Sequence, residues 1–270
     1  MKFDLHTHHF RCGHADGNIR DYIEAGISAG LHAIGISDHA PHFGEKEEQA
    51  FPHIAMGKSE LANYVQEVLQ LKREYEGKID VLLGIESDYF PEHADVYRKV
   101  LSDYPFDYII GSVHSVGKVS IFNKNRFKKL SDMQQQIAVK EEYYRLIQDS
   151  ARSGMFQILG HIDAMKGNYP SFSDIPAEHI LDETLQVIAE SGVAIEINTS
   201  GKTKMSGGWY PSDAILERAC HFGVDVTFGS DAHKPSRVAD ELDEVVARLK
   251  AIGFKEWVYF KNKQKHSVPL

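Results

Sequence analysis

The chain has 270 residues, 42% of them hydrophobic, and 30 Lys and Arg stand against 39 Asp and Glu for a net charge of −9. That acidic balance argues against a nucleic-acid groove, which needs clustered cations to neutralise phosphates. No apolar run approaches the roughly 18 residues of a membrane span, the N-terminal Met-Lys-Phe-Asp-Leu-His lacks an apolar signal core, and two cysteines make no disulfide framework. A cytoplasmic protein without nucleic-acid or membrane partners is expected. No linker or charge block divides the chain, so residues 1–270 are read as a single domain.

In chain order, the first expected strand, 2–5, runs into Asp4-Leu-His6-Thr-His8-His9-Phe-Arg-Cys12-Gly-His14. Side chains alternate along a strand with period two, so an HxH at its end turns both imidazoles to the same side. A unit of helix, Gly, apolar run and chemically capable residue then recurs. It appears as Gly30, strand 31–37 and Asp38-His39, and as Gly77, strand 79–85 and Glu86. It returns as Gly154, strand 155–160 and His161, as Gly192, strand 193–197 and Asn198, and as Gly223, strand 224–230, Asp231 and His233. A further strand, 108–113, leads into His114 without a preceding Gly. Gly closes a helix in the left-handed conformation, and a continuous apolar run suits a strand of a parallel sheet covered on both faces.

Amphipathic helices fill the intervals. They are expected at 59–75 (Leu61, Tyr64, Val65, Val68, Leu71), at 177–190 (Ile180, Leu181, Thr184, Val187, Ile188) with Pro176 in the first turn, and at 236–252 (Val238, Leu242, Val245, Val246, Leu249). The stretch with Lys261, Lys263 and Lys265 reads as a solvated end. Seven strands alternating with helices imply a parallel α/β fold, a closed or nearly closed barrel being preferred to an open doubly wound sheet. Either fold binds ligands beyond the carboxyl ends of its strands.

There the candidate residues gather. Seven of the fifteen histidines (His6, His8, His14, His39, His114, His161 and His233) lie at or just past strand ends, as do Glu86 and Asp231. Histidines with purely structural roles would scatter over helices and loops. Imidazole and carboxylate donors suit zinc, manganese or iron better than calcium or magnesium. Nine donors exceed the needs of one ion, so two or three divalent ions (Zn, Mn or Fe) sharing a bridging carboxylate are expected, with positions left open for catalysis. Cys12 is a soft donor out of keeping with this set. His9 and His42 adjoin the motifs and are placed against substrate. Lys166, then Lys202 and Arg237, are candidates to clamp a phosphate, and Asn198 to hydrogen-bond the substrate. Asp38 and Asp163, beside ligand histidines, are candidate acceptors that orient imidazoles.

These residues resemble the PHP (polymerase and histidinol phosphatase) superfamily over nearly the whole chain. The motifs are His6/His8 with His14, Ser37-Asp38-His39-Ala-Pro41, Gly84-Ile-Glu86-Ser-Asp88-Tyr89, Gly111-Ser-Val-His114, Gly160-His161-Ile-Asp163, Glu196-Ile-Asn198-Thr-Ser-Gly201 and Gly229-Ser-Asp231-Ala-His233. Softer matches at 56–64, 71–75, 86–91, 111–116 with Phe122-Asn123, and 198–201 are similar to its monofunctional histidinol-phosphatases. The resemblance implies a distorted (β/α)7 barrel with three metal ions at the carboxyl ends of its strands. His6, His8, Glu86 and Asp231 would hold the first ion, Glu86 would bridge to a second with His114 and His161, and His14, His39 and His233 would hold the third.

The implied activity is hydrolysis of L-histidinol phosphate to L-histidinol and phosphate in histidine biosynthesis. A metal-bridging hydroxide would attack phosphorus, with Glu86 and Asp231 as the catalytic carboxylates. The rival reading is a PHP-type phosphoesterase for another small phosphoester such as a nucleotide. Amidohydrolase-type C–N cleavage would favour a carboxylated Lys where Glu86 stands, and a regulatory metal-binding module would have lost ligands, which this chain has not.

Overall fold

A computed structural model describes residues 1–125, 130 and 132–270. Short strands form where the apolar runs stand: β1 (Phe3–Asp4), β2 (Ala33–Ile36), β3 (Asp80–Leu83), β5 (Ile110–Ser112), β8 (Ile158–Leu159), β9 (Ala194–Asn198) and β10 (Val226–Gly229), with the polar β4 (Glu86–Asp88) continuing the run that begins in β3. The helices between them are α1 (Ile19–Ser28), α2 (Glu60–Glu74), α3 (Ala94–Ser102), α4 (Met133–Arg152), α5 (Glu178–Ser191), α6 (Asp213–Phe222) and α7 (Leu242–Ile252). Two antiparallel hairpins are also present, β6 (Ser115–Val116) with β7 (Val119–Ser120), and β11 (Glu256–Lys261) with β12 (Gln264–Pro269), together with short 3-10 turns.

The parallel strands pair in the orders β1-β2-β3 and β10-β9-β8-β5-β4. Backbone hydrogen bonds run between these two sheets at both ends. The β3–β4 segment bonds to the β2 end through Gly84 N–H to Ile36 O (2.8 Å) and to the β5 side through Ile110 N–H to Ile85 O (2.9 Å). On the other side Leu5 N–H donates to Phe228 O (3.1 Å) and His8 N–H to Ala232 O (2.9 Å). Tyr108 lies inside this arrangement, and its hydroxyl donates to Leu5 O at 2.5 Å. The ring fits only because Gly35 and Gly84 have no side chain, since a Cβ would stand 1.8 Å and 2.4 Å from Tyr108 atoms. The strands are buried along their length, and Phe3, Ile34, Val81, Ile110, Ile158, Ile195 and Phe228 form part of the core between sheet and helices. Because the strands run parallel, their carboxyl ends meet at one end of the sheet, and the residues just beyond them are brought together.

The glycines of the recurring unit behave as their positions require. Gly30, Gly77, Gly154, Gly192 and Gly223 all have φ between 66° and 79°, in the left-handed region that costs any other residue about 1–2 kcal/mol. Three expectations are corrected. The helix expected from 236 starts at Leu242, because Pro235–Arg237 make a 3-10 turn and Ala239 and Glu241 adopt positive φ (59° and 57°). That break is held from outside the segment, where Ala239 N–H donates to Asp4 Oδ2 at 2.9 Å. Pro176 stands just before the N-cap of α5 rather than in its first turn. The Lys-rich end is a hairpin, with Lys261 paired to Asp80 and Lys265 to Asp225, both at 2.6 Å. No described helix is long and apolar enough to cross a membrane.

Candidate metal centre

Six segments deliver donors from their strands to the same space. β1 leads to His6 and His8, the turn after β2 to His39, β4 begins with Glu86, β5 leads to His114, β8 to His161, and β10 to Asp231 and His233. His14 arrives from the loop after β1. His161 and Asp231 have positive φ (26° and 52°), strain of the kind that persists where surrounding contacts over-determine a functional site.

Glu86 occupies the middle. Its Oε1 accepts Ser112 Oγ–H at 2.6 Å and stands 3.1 Å from His161 Nε2 and 3.4 Å from His114 Nε2. Its Oε2 faces the other way, 2.8 Å from His39 Nδ1, 3.3 Å from His6 Nε2 and 3.6 Å from His8 Nε2. Asp231 Oδ1 lies 3.0 Å from His8 Nε2 and 3.8 Å from His6 Nε2. Two imidazole pairs meet nitrogen to nitrogen, His114 with His161 at 3.2 Å and His14 with His233 at 2.9 Å. Donors on one tetrahedral zinc, each at about 2.0–2.1 Å, stand about 3.3 Å apart, so groups at these separations could share an ion.

The outward nitrogens are fixed by a second ring of acceptors. His6 Nδ1 is 2.7 Å from Glu196 Oε2, His8 Nδ1 is 3.2 Å from Asp38 Oδ1, and His114 Nδ1 is 2.9 Å from Asp88 Oδ1. His233 Nδ1 lies 3.0 Å from Asp231 O, and His14 Nδ1 3.3 Å from Cys12 O. Each contact selects the tautomer that leaves Nε2 bare and aimed inward. His6 Nε2, His8 Nε2 and Glu86 Oε2 are buried without a hydrogen-bond partner, an arrangement costly for a protein unless those lone pairs bind something. A divalent cation fits this donor set. Subsets His6–His8–Asp231, His39–Glu86–His114 and His8–His39–His233 each bring their donor atoms within 4.8 Å of one another.

Left to themselves, several of these groups compete for protons. Burial opposes ionisation of Glu86, but His39, His6 and His114 outweigh it and hold the carboxyl well below the usual range. Asp231 is held down likewise, by His6 and His8 against burial. Burial also opposes charge on His8 and His114. Asp231 and Asp38 nevertheless push His8 up to about 9, and Asp88 and Glu86 push His114 up to about 9. His233 falls to about 3, through burial and then the neighbouring His8. His14 and His39 are lowered, first by burial.

All nine donors expected from the sequence are thus brought together. The phosphate candidates fare differently. A cleft of about 740 Å³ opens over the donors and includes Arg237, together with Lys204, Lys234 and Lys124, none of which was singled out in the sequence. Lys166 is not among its lining residues: its ammonium is buried, donating to Asp163 Oδ2 at 2.7 Å and to Trp209 O at 2.8 Å. Asp163 is therefore taken up by Lys166 and by Ser212 N–H (2.9 Å) rather than by an imidazole. Lys202 is paired with Glu241. Asn198 is fully buried behind the donors and steadies them, Nδ2 donating to Glu196 Oε1 (2.6 Å) and Asp231 Oδ2 (3.2 Å). His42 lies against Phe51 and Phe90 in a separate pocket. The Cys12 thiol donates to His9 O at 3.2 Å, and burial pushes its pKa up, away from the thiolate a metal would take.

Sequence reasoning placed Glu196 in a motif but gave it no role at the site. It holds His6 through Oε2 and accepts the His161 N–H at 3.0 Å through Oε1. Gly229 gives it room, since a Cβ there would stand 2.6 Å from Glu196 Oε2. One signal was available: a lone carboxylate inside the otherwise apolar run 193–197.

Comparison with known proteins follows the same outline. The family model described as PHP domain matches residues 4–200. A "Probable histidinol-phosphatase" of Deinococcus radiodurans is 32% identical over 251 residues, 93% of each chain. The "Histidinol-phosphatase" of Bacillus subtilis (strain 168) is 32% identical over 258 residues, 88% of this chain and 96% of that one. Among solved structures, histidinol phosphate phosphatase from Lactococcus lactis subsp. lactis, complexed with Zn, L-histidinol and phosphate, aligns with a TM-score of 0.81 over 98% of both chains. At 22% identity that likeness speaks for the fold alone.

Proposed function

The chain belongs to the PHP domain family, and from that premise we propose that it is a metal-dependent phosphoric monoester hydrolase converting L-histidinol phosphate to L-histidinol and phosphate, a reaction of histidine biosynthesis. The observation that carries the chemistry is the convergence of seven imidazoles and two carboxylates with buried, unpartnered lone pairs. End-to-end relatedness to proteins named histidinol-phosphatase supports the substrate.

In this reading residues 1–270 are one domain. The bonds from β1 to β10, and Tyr108 filling the interior, support a closed barrel of seven strands. Two or three divalent ions (Zn, Mn or Fe) are held. His6, His8, Asp231 and Glu86 Oε2 form one set, Glu86 Oε1 with His114 and His161 a second, and His14, His39 and His233 a third. Bound there, the ions supply Lewis acidity toward phosphoryl oxygens and a nucleophile at neutral pH, by lowering a water pKa to about 7.

The protein's own groups do the rest. Glu86, with its oxygens turned to two sets, fixes their separation. Asn198 and Ser200, donating to Asp231 Oδ2 at 3.2 Å and 2.9 Å, keep that carboxylate's other oxygen inward. On the cleft wall Lys204, and Arg237 and Lys234 once drawn from Asp240 and Asp16, take the place first given to Lys166 and Lys202 and offset charge on the phosphate. Phe122 and Tyr210 line the same cleft and give it apolar surface beside the leaving group.

The test is phosphate release from histidinol phosphate and a panel of nucleotides and sugar phosphates, before and after chelation. Chelator-sensitive turnover with kcat/KM at least about a hundredfold higher for histidinol phosphate, about 2.7 kcal/mol of discrimination, is expected. Activity strongest on another phosphoester would keep the metal site and sink the substrate.

A further inference from the structure

We propose that His9 is a positioning residue: through Asp38 it fixes the imidazole of the neighbouring ligand His8. The inference rests on the reading of His8 as a metal ligand. His9 follows His8 directly, so its ring points to the opposite side of the chain, away from the donors. It is nevertheless fully buried, and no step proposed above uses it.

Asp38 lies between the two rings and gives one oxygen to each. Its Oδ1 is 3.2 Å from His8 Nδ1 and accepts the His39 N–H at 2.9 Å. Its Oδ2 is 3.3 Å from His9 Nδ1, within ion-pair range although not aligned as a hydrogen bond, and no hydrogen bond reaches Oδ2. A buried carboxylate oxygen without a donor is costly, and His9 Nδ1–H is the group placed to meet it. Arg11 N–H donates to the same nitrogen at 3.5 Å, a bond at the limit of hydrogen-bond length that competes for the opposite tautomer against the nearer, charged carboxylate.

The ring itself has little freedom. Tyr64 of α2 stacks on it at 5.4 Å with an interplanar angle of 28°. The Tyr64 hydroxyl is tied to Ile36 O and Gly84 O, both at 2.7 Å, at the ends of β2 and β3. The sequence of contacts is therefore helix, Tyr64, His9, Asp38, His8. When His8 offers Nε2 to a metal, its proton must sit on Nδ1 and be received by Asp38 Oδ1. A carboxylate free to swing would lose that alignment, and His9 pins its other oxygen. Partners of this kind are worth roughly 10- to 100-fold in metal affinity when removed.

The experiment compares wild type, His9→Asn and His9→Phe in metal-loaded form, following how fast a chelator strips the metal. Asn keeps an N–H donor near the position of Nδ1, whereas Phe keeps the ring without the donor. About tenfold faster loss from His9→Phe, with His9→Asn within about threefold of wild type, is the expected result. Three indistinguishable rates, or equal acceleration in both variants, would overturn the assignment, the latter by showing that packing and not the donor matters. Should His9→Phe fail to fold, nitrogen NMR of the wild-type holoprotein decides: a proton on His9 Nδ1 supports the role, and a proton on Nε2 alone excludes it. A wild-type protein that holds no metal would instead bring down the functional reading on which this one rests.

Discussion

At the scale of single residues, a charge's role follows from the partner it reaches. His8 and His114 are pushed up to about 9, against burial, by Asp231 with Asp38 and by Asp88 with Glu86 respectively. A raised imidazole pKa means the proton persists through neutrality, so an ion entering these sets must displace it. Metal affinity of the His8 and His114 sets should therefore keep rising with pH from 6.5 to about 9, by about tenfold per unit for each proton released. His233, at about 3, is already neutral there, and His14 and His39 are shifted in the same direction. Affinity of those three for an ion should therefore fall less on acidification than that of the His8 and His114 sets. Metal titrations in competition with a chelator, run with a pH-stat, check both statements. Lys166 makes the contrary point. Its partners, Asp163 and Trp209 O, bury it beside the cleft rather than in it. Lys166→Ala strands Asp163 in the interior and should cost about 3–5 kcal/mol of stability in denaturant unfolding, as loss of one partner of a buried pair does. The KM of the surviving folded fraction should stay near that of wild type.

At the scale of elements, the repeating glycines carry most of the legible information. At Gly192 a Cβ would meet nothing within 4 Å, so the requirement is the dihedral (φ 69°) and not space. Gly192→Ala should therefore lower stability by about 1–2 kcal/mol and the melting temperature by a few degrees, without touching metal content. Thermal melts with metal analysis decide it. The start of α7 was not legible, because the apolar spacing of Val238 and Leu242 suits a continuous helix. What interrupts it is Asp4, on the far side of the chain in sequence, taking the Ala239 N–H. Local periodicity reports which face is buried but not which backbone donors are claimed by a distant acceptor.

At the scale of the whole molecule, the C-terminal hairpin shows what strand alternation alone conceals. Lys261 and Lys265 point to acids on the body of the protein. Trp257 is buried against Phe3 of the first strand, ring centroids 4.6 Å apart. The end of the chain thus covers its beginning. Trp257→Ala should destabilise by about 3–5 kcal/mol, read as a lower denaturant midpoint with unchanged slope. A loss under 1 kcal/mol would show the hairpin to be an ornament.

The sequence by itself determined the parallel α/β plan and named the nine candidate donors that the fold brings together. Both depend on short-range rules: buried strands need apolar runs, Gly ends helices, and ligands sit where parallel strands stop. Only the tertiary structure decided which cations face the cleft, that Glu196 and Asn198 stand behind the donors, and that His9 meets Asp38. Those outcomes depend on groups tens to hundreds of residues apart competing for the same proton or lone pair, and no local pattern encodes the winner.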